Sequence, residues 1–191
     1  MTATPITRQQ YTIEDLLSMP DDGKRYELIN GEIVEVGTSN QRHSTLGAWL
    51  LGMIFAYLQI HKIGGRVNGP DGTYQLDAAN VKAPDVSYLT AASAAKVPKG
   101  SVYCPFGPDF VIEIKSPSES RSYMRRLAEL YISTGTRLVW TIDPNEKTAI
   151  VYRPSGDTAI EYSGNAVLDA SDVIAGFKID LFEMFAQIEN L

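Results

Sequence analysis

Short apolar runs dominate the first part of the chain and predict a helix followed by a hairpin. Thr12 is a suitable N-cap for a short helix that reaches Met19, and residues 20–23 have the composition of a turn. Residues 26–29 and 32–36 have strand-like patterns and flank Asn30-Gly31, the strongest short-range hairpin signal. The domain is therefore expected to open with a helix and a β-hairpin.

A longer apolar segment at 41–61 predicts a helix that is capped from within residues 38–40. Its apolar side chains, which include Trp49, Met53 and Tyr57, cover most of the helical circumference rather than one stripe. A helix with this pattern is buried on several sides. Since two-fold dimers are the commonest soluble oligomers, we expect a homodimer in which a second copy covers part of it.

The second half of the chain predicts strands alternating with helices. Residues 110–115 form a strongly apolar strand, and Ser116-Pro117-Ser118-Glu119 has the composition of a capping box for a helix that ends before Gly135. Further strands are expected at 81–89, 137–142 and 148–153, a loop after 89, and a last helix at 181–188. The expected fold class is α/β (α+β), a mixed central sheet flanked by helices.

Length and composition place residues 1–191 in one globular domain. With 44% hydrophobic and 21% charged residues, the chain can build a substantial core. The longest apolar stretch, 46–58, is too short to span a bilayer, so a cytoplasmic protein without a membrane partner is expected. A single cysteine, Cys104, and two histidines exclude a cysteine cage or a histidine-rich site for zinc. Any metal is therefore expected to be held by oxygen.

Acidic residues outnumber basic ones overall, yet one segment is basic. The net charge of −6 argues against indiscriminate coating of nucleic acid, which depends on phosphate contacts. Between 115 and 137, five basic residues, among them Arg121, Arg125 and Arg126, occur with only two acidic ones, Glu119 and Glu129. These arginines are candidates for binding nucleic acid, and the alternative is an ordinary solvated face.

Candidate catalytic groups occur in the strand at 110–115. Side chains alternate across a strand, so Glu113 and Lys115 share one face while Ile112 and Ile114 share the other. An isolated Glu-x-Lys pair is most often a surface salt bridge. Here the strand is otherwise apolar and leads through Ser-Pro into a helix that carries arginines, which favours a functional pair.

Four Pro-Asp dipeptides offer an acid that could join Glu113. Those of Asp21 and Asp71 lead into glycine and are typical of turns. Asp109 is too far from Glu113 to share an ion, about 13 Å along one extended strand. Asp85 begins an apolar strand, which could lie about 4.8 Å from its neighbour. Asp85 and Glu113 could therefore bind one cation; the alternative for Asp85 is a turn or cap residue.

Three longer motifs resemble a known family. They are Lys-Ala-Pro-Asp-Val-Ser-Tyr-Leu at 82–89, Pro-Asp-Phe-Val-Ile-Glu-Ile-Lys-Ser-Pro-Ser at 108–118, and Leu-Val-Trp-Thr-Ile-Asp-Pro at 138–144, with Tyr131 and Gly135 between the last two. Tyr-Glu-Leu-Ile-Asn-Gly-Glu-Ile at 26–33 and Gly-Phe at 176–177 fit the same pattern. Together they look like the bacterial Uma-type restriction endonucleases, a branch of the PD-(D/E)xK nuclease superfamily.

The resemblance implies a restriction-endonuclease-like core with Asp85 and Glu113 as metal ligands and Lys115 as the catalytic lysine. Many relatives lack lysine at this strand position and supply one from the following helix. Here the strand lysine is present, so an orthodox site is expected. Glu27 and His43 match recurrent family positions and are candidate accessory residues; the alternatives are a hydrogen bond within the hairpin for Glu27 and a helix-end position for His43.

These assignments predict a Mg²⁺-dependent endonuclease that hydrolyses phosphodiester bonds of DNA. Mg²⁺ prefers oxygen ligands and keeps several waters, so Asp85, Glu113 and the backbone carbonyl of Ile114 would hold it, with Mn²⁺ as a substitute. Lys115 would orient or help deprotonate the attacking water. Two alternatives stay open: a degenerate domain that binds nucleic acid or a protein without cutting, and a metal-dependent enzyme with another substrate.

Overall fold

The computed structural model describes residues 10–37, 40–154, 159–189 and 191. Its elements in chain order are α1 (Ile13–Leu17), β1 (Arg25–Ile29), β2 (Glu32–Val36), α2 (Gln41–His61), β3 (Gly65–Asn68), β4 (Tyr74–Asp77), β5 (Asn80–Lys82), β6 (Val86–Thr90), α3 (Ala91–Ala94), β7 (Phe110–Ile114), α4 (Arg121–Ser133), β8 (Leu138–Asp143), β9 (Thr148–Tyr152), β10 (Ala159–Ser163), β11 (Val167–Asp169), β12 (Lys178–Asp180) and α5 (Leu181–Ala186). No helix in these ranges combines the length and apolarity needed to cross a membrane.

A six-stranded sheet with the order β10-β9-β8-β7-β6-β3 forms the centre of the fold. Only the β7–β8 pair of this sheet is parallel, because α4 provides the crossover that parallel neighbours need. Every residue of β7 and β8 is buried, as expected for central strands covered on both faces. A second sheet, β2-β1-β5-β4, is antiparallel, and β11 pairs with β12. The predicted mixed central sheet flanked by helices is confirmed.

Helices cover the two faces of the central sheet. On one face, Leu46 and Leu50 of α2 pack with Ile112 and Ile114 of β7 in the main core. On the other, Leu127, Ala128 and Tyr131 of α4 pack with Val111 and Val139 in a second cluster. Residues of β7 with odd numbers thus point towards α4, and Glu113 is among them.

Several local predictions are confirmed. The hairpin turns at Asn30 and Gly31, whose φ angles of 51° and 77° are those a two-residue hairpin turn of this type requires. α2 spans the predicted residues, and the Asn40 side chain accepts a hydrogen bond from the backbone N–H of His43. Residues 38 and 39, the other predicted caps, lie outside the described residues.

The structure differs from the predictions in three larger features, besides shifts of one or two residues at the ends of other elements. The strand expected at 81–89 is divided into β5 and β6, since residues 83–85 leave the ladder. The predicted capping box at 116–119 does not start α4. Glu119 accepts a hydrogen bond from the Ser116 backbone, but the helix begins after Ser120, whose side chain caps the Tyr123 backbone N–H. The loop expected after 89 contains α3, which Thr90 caps.

Candidate active site

A polar cavity of about 210 Å³ lies where the second sheet meets the ends of β6 and β7. Its walls come from the β1–β2 hairpin, the start of α2, the β5–β6 connection and α4. The side chains that bring chemistry to it are Glu27, His43, Lys82, Asp85 and Glu113. Elements far apart in the sequence therefore contribute to one concave, charged site.

Asp85 and Glu113 both line this cavity. Asp85 directly precedes β6, which pairs antiparallel with β7 in a register that places Val86 opposite Ile112. The next position along each strand puts Asp85 beside Glu113. Asp85 Oδ2 accepts a hydrogen bond of 2.7 Å from the Ile114 backbone N–H, which fixes the carboxylate at the end of β7. Asp85, directly before β6, and Glu113 in β7 therefore line the same cavity.

Glu113 is a buried carboxylate that resists ionisation. Burial and the neighbouring Asp85 carboxylate raise its pKa well above the ordinary value, while Lys82 and Tyr131 act in the opposite direction. The Tyr131 hydroxyl donates a hydrogen bond of 2.7 Å to Glu113 Oε1. Desolvation of the phenolate raises the pKa of Tyr131 as well, so Tyr131 stays a neutral donor. α4 thus positions Glu113 through a single hydrogen bond.

His43, in the first turn of α2, contacts Asp85. Its Nε2 lies 3.1 Å from Asp85 Oδ2, and the imidazole also interacts with the backbone of Ile114. Burial lowers the pKa of His43, but the hydrogen bond and charge of Asp85 outweigh it and give a net increase. His43 and the backbone N–H of Ile114 therefore together orient the Asp85 carboxylate.

Glu27 and Lys82 form a buried ion pair in the same cavity. β1 and β5 are antiparallel with Leu28 opposite Val81, so the adjacent positions, Glu27 and Lys82, also face each other. Lys82 Nζ bonds Glu27 Oε2, and Glu27 Oε1 accepts the backbone N–H of Ala83 at 3.0 Å. Burial lowers the pKa of Lys82, but Glu27 and other anionic groups outweigh it, so the net shift is upward. Lys82 is therefore held as a cation beside Glu113.

Lys115 is on the α4 side of the sheet, like Glu113, but its amine bonds elsewhere. β7 and β8 run parallel, and the Lys115 backbone N–H donates to the Ile142 carbonyl, which brings Lys115 alongside Asp143. Lys115 Nζ lies 3.2 Å from Asp143 Oδ2, and both residues line a separate small cavity. Met124 lines both cavities and lies between them. The structure thus brings together Asp85 and Glu113 but gives Lys115 a different partner, and its catalytic role stays a prediction.

The predicted nucleic-acid-binding arginines lie on the exposed side of α4. Arg121 Nη2 is 2.7 Å from Glu161, and Arg125 Nε is 2.8 Å from Glu129, one turn further along the helix. Arg126 is exposed as well. None of the three lines the cavity that contains Asp85 and Glu113. Arg25 of β1 does, and it also lines a neighbouring cavity of about 340 Å³ that shares His43 and Asp85.

The carboxylate donors of the cavity are of the type that a hard, oxygen-preferring divalent cation selects. Within the described ranges no group of three or more His, Cys, Asp or Glu side chains is arranged to hold a metal. Two carboxylates and a backbone carbonyl suit Mg²⁺, which keeps several of its own waters. The repulsion between Asp85 and buried Glu113 is the kind of charge that a bound cation relieves.

Sequence reasoning assigned no role to two residues of this site. Lys82 precedes Asp85 by three residues. It could have been noticed as the only charged residue between Asp77 and Asp85. Tyr131 belonged to a family motif without an assigned function. Asp143, in the motif at 138–144, has no assigned role in the sequence analysis either. Its pairing with Lys115 follows only from the parallel register of β7 and β8.

The arrangement of a mixed sheet with two acids at the ends of adjoining strands is that of a nuclease-like domain, and comparisons with known proteins agree. The model of the Uma2 family, described as "Putative restriction endonuclease", matches residues 13–181, so the chain belongs to this family. A solved structure described as a "putative nuclease belonging to DUF820" from Anabaena variabilis has the same fold, with a TM-score of 0.79 and 21% sequence identity. The match covers 92% of this chain and 98% of that one. No functionally curated protein matches the chain.

Proposed function

We propose that the protein is a Mg²⁺-dependent endonuclease that hydrolyses phosphodiester bonds of DNA. The observation that carries the proposal is the placement of Asp85 beside Glu113 in a concave polar cavity, in a member of a restriction endonuclease family. Fold alone does not determine chemistry, so the argument depends on this donor set.

Asp85, Glu113 and the backbone carbonyl of Ile114 are the atoms that would hold Mg²⁺ or Mn²⁺. When bound there, the ion would polarise the scissile phosphodiester and lower the pKa of the attacking water. The protein supplies the orientation of the ligands. His43 and the Ile114 backbone N–H hold Asp85, and Tyr131 holds Glu113.

The reaction consumes one water for each bond cut. The water oxygen forms a bond to phosphorus, the bond between phosphorus and one ester oxygen breaks, and that oxygen takes up a proton. The products are a hydroxyl end and a phosphomonoester end. Lys115 is the amine expected from the sequence to act on the water, and to do so it would have to release Asp143, since its Nζ is 3.2 Å from that carboxylate.

A homodimer is the assembly we propose. Leu46, Leu50 and Ile54 of α2 are buried in the core, but Met53 and Ile60, seven positions apart and therefore on one helix face, remain exposed. Between Arg42 and His61 the helix carries no Asp, Glu, Lys or Arg. A second copy covering this face would remove its apolar side chains from water.

A non-cleaving domain that binds nucleic acid is the second candidate. The observation that favours it is the position of Lys115, the catalytic lysine expected from the sequence, which pairs with Asp143 and lines a separate cavity from Asp85 and Glu113. Such a domain would retain DNA without cutting it under any ionic condition.

Cleavage and metal binding together test the proposal. Supercoiled plasmid and single-stranded DNA are incubated with the protein and Mg²⁺, Mn²⁺ or Ca²⁺, and Mg²⁺ binding is measured by calorimetry. Wild type should nick DNA with Mg²⁺ or Mn²⁺, and Asp85→Asn should lose both cleavage and Mg²⁺ binding. Asp21→Asn is the matched control, since Asp21 follows proline in an exposed turn. DNA binding by wild type without nicking in any of these ions would favour the second candidate.

A further inference from the structure

We propose that Lys82, held by Glu27, is the amine that contacts the scissile phosphate in this site. The inference rests on the proposed phosphodiesterase function and deepens it, because it assigns the cation of the reaction to a residue outside the Glu-x-Lys motif. It makes Lys82 a catalytic residue and Glu27 a positioning residue.

The position of Lys82 is the first argument. Lys82 lines the cavity together with Asp85 and Glu113, and its side chain is only 4% exposed. One anchor, Glu27 Oε2, holds the amine, and Glu27 is itself fixed by the Ala83 backbone N–H. An ammonium group has three N–H donors, so two remain to bind a phosphate oxygen.

The charges of the cavity are the second argument. Among the described lining residues only Lys82 and Arg25 are permanent cations, and five carry carboxylates: Glu27, Glu35, Asp85, Glu113 and Glu119. A phosphodiester that enters this cavity needs a cation besides a metal ion. Arg25 Nη2 donates to the Pro70 carbonyl at the outer edge and its side chain is 44% exposed, whereas Lys82 is deep in the site.

The restraint on Lys115 is the third argument. Its partner Asp143 also accepts hydrogen bonds from the backbone N–H groups of Asn145 and Glu146, so the carboxylate is fixed. Asp143 is buried, and removal of the Lys115 amine would leave that charge unpaired, which is unfavourable. Lys82 needs no comparable rearrangement to face the space beside Glu113.

The chemistry that Lys82 supplies is electrostatic. Its amine stays protonated beside Glu27, so it stabilises the negative charge that builds on the phosphate oxygens as the water oxygen bonds to phosphorus. It accepts no proton from the water. Preorganised charge of this kind acts strongly in a site from which most water is excluded.

Five variants test the assignment: Lys82→Met, Lys115→Met, Glu27→Gln, the double variant Glu27→Gln/Lys82→Met, and the surface control Lys99→Met. Single-turnover cleavage of a short duplex with Mg²⁺ gives the rate of the chemical step, and duplex affinity in EDTA at several salt concentrations gives a readout without metal. The double variant matters because Lys82→Met leaves Glu27 buried and unpaired and could unfold the protein, whereas the double variant leaves no lone charge.

We expect Lys82→Met and the double variant to cleave about 100-fold or more slowly, the range found when one preorganised electrostatic group is removed. The logarithm of their DNA affinity should fall less steeply with the logarithm of salt concentration than in wild type, by about the slope that one phosphate contact contributes. The fold reduction in cleavage rate should be at least ten times smaller for Glu27→Gln and for Lys115→Met than for Lys82→Met. Lys99→Met should match wild type in both measurements.

Two outcomes overturn the assignment. A folded double variant that cleaves within tenfold of wild type would show that Lys82 and Glu27 are only a structural pair. A loss in Lys115→Met that exceeds the loss in the double variant would return the role to Lys115. If the wild-type protein cuts no DNA, the proposed function is wrong instead. If the salt slope of the double variant is also unchanged, Lys82 makes no phosphate contact either.

Discussion

The Tyr131 hydroxyl lies 2.7 Å from Glu113 Oε1, and both side chains are buried. Tyr131 is in the last turn of α4, so this hydrogen bond connects the helix behind the sheet to the carboxylate of the cavity. The contact compensates only partly for the burial of Glu113, whose pKa remains well above its ordinary value because of desolvation and Asp85. Glu113 is therefore retained at a cost to stability, as is common for functional groups.

Glu113→Gln should stabilise the metal-free protein at neutral pH by about 1–2 kcal/mol. A carboxyl group whose pKa is raised in the folded state does not lower the free energy of unfolding at pH values well below its ordinary pKa. The cost grows as the pH rises towards the folded pKa and is constant above it. Urea unfolding should therefore show a stabilising effect at pH 8 that disappears near pH 4. A variant less stable than wild type at pH 8 without metal would contradict this account.

His43→Gln should show the opposite pH dependence. The folded pKa of His43 is raised because Asp85 outweighs the effect of burial, so its contribution to stability is complete below the ordinary pKa of about 6.5. The contribution is lost as the pH rises through the folded pKa. We expect the variant to be less stable than wild type by about 1 kcal/mol at pH 5.5 and by less at pH 9, by thermal or urea unfolding. An equal difference at both pH values would argue against the ion pair with Asp85.

Arg25 and the arginines of α4 are competing candidates for the residues that contact DNA. If the basic segment binds DNA as the sequence suggests, the triple alanine variant of Arg121, Arg125 and Arg126 should lower the salt slope by up to about three contacts. Arg25→Ala alone should lower it by about one, since Arg25 lines both cavities beside Asp85. Arg137→Ala is the control, because Arg137 directly precedes β8 at the strand end away from Asp143. A slope unchanged in the triple variant would leave Arg25 as the better-supported contact.

A charge on the exposed face of α2 should dissociate the proposed dimer. Ala56→Glu places a carboxylate one helical turn from both Met53 and Ile60, where a second copy would have to desolvate it. Light scattering at micromolar concentration should give a dimer mass for wild type and a monomer mass for the variant. Ala92→Glu in α3, also exposed, should remain dimeric. A monomeric wild type would remove the dimer from the proposal.

Local chemistry decided the elements that the sequence predicted well. Asn30-Gly31 adopts the positive φ angles of a tight hairpin without strain, so the hairpin follows from two neighbouring residues. α2 follows from its apolar content and from the Asn40 cap. β7 and β8 follow from continuous apolar runs. The pairing of β6 with β7, which places Asp85 beside Glu113, was within reach because the intervening chain is long enough to return.

Only the tertiary structure decided which amine accompanies these acids. Glu113 and Lys115 share a face of β7, as alternation requires, but the parallel register with β8 places Asp143 beside Lys115. The antiparallel register of β1 and β5 places Glu27 beside Lys82 and carries that pair into the cavity. Register between distant strands depends on the packing of the whole core, since a shift of one residue turns every side chain to the other face. The sequence by itself determined which charged residues the strands carry, and the packing of the strands determined which of those charges meet.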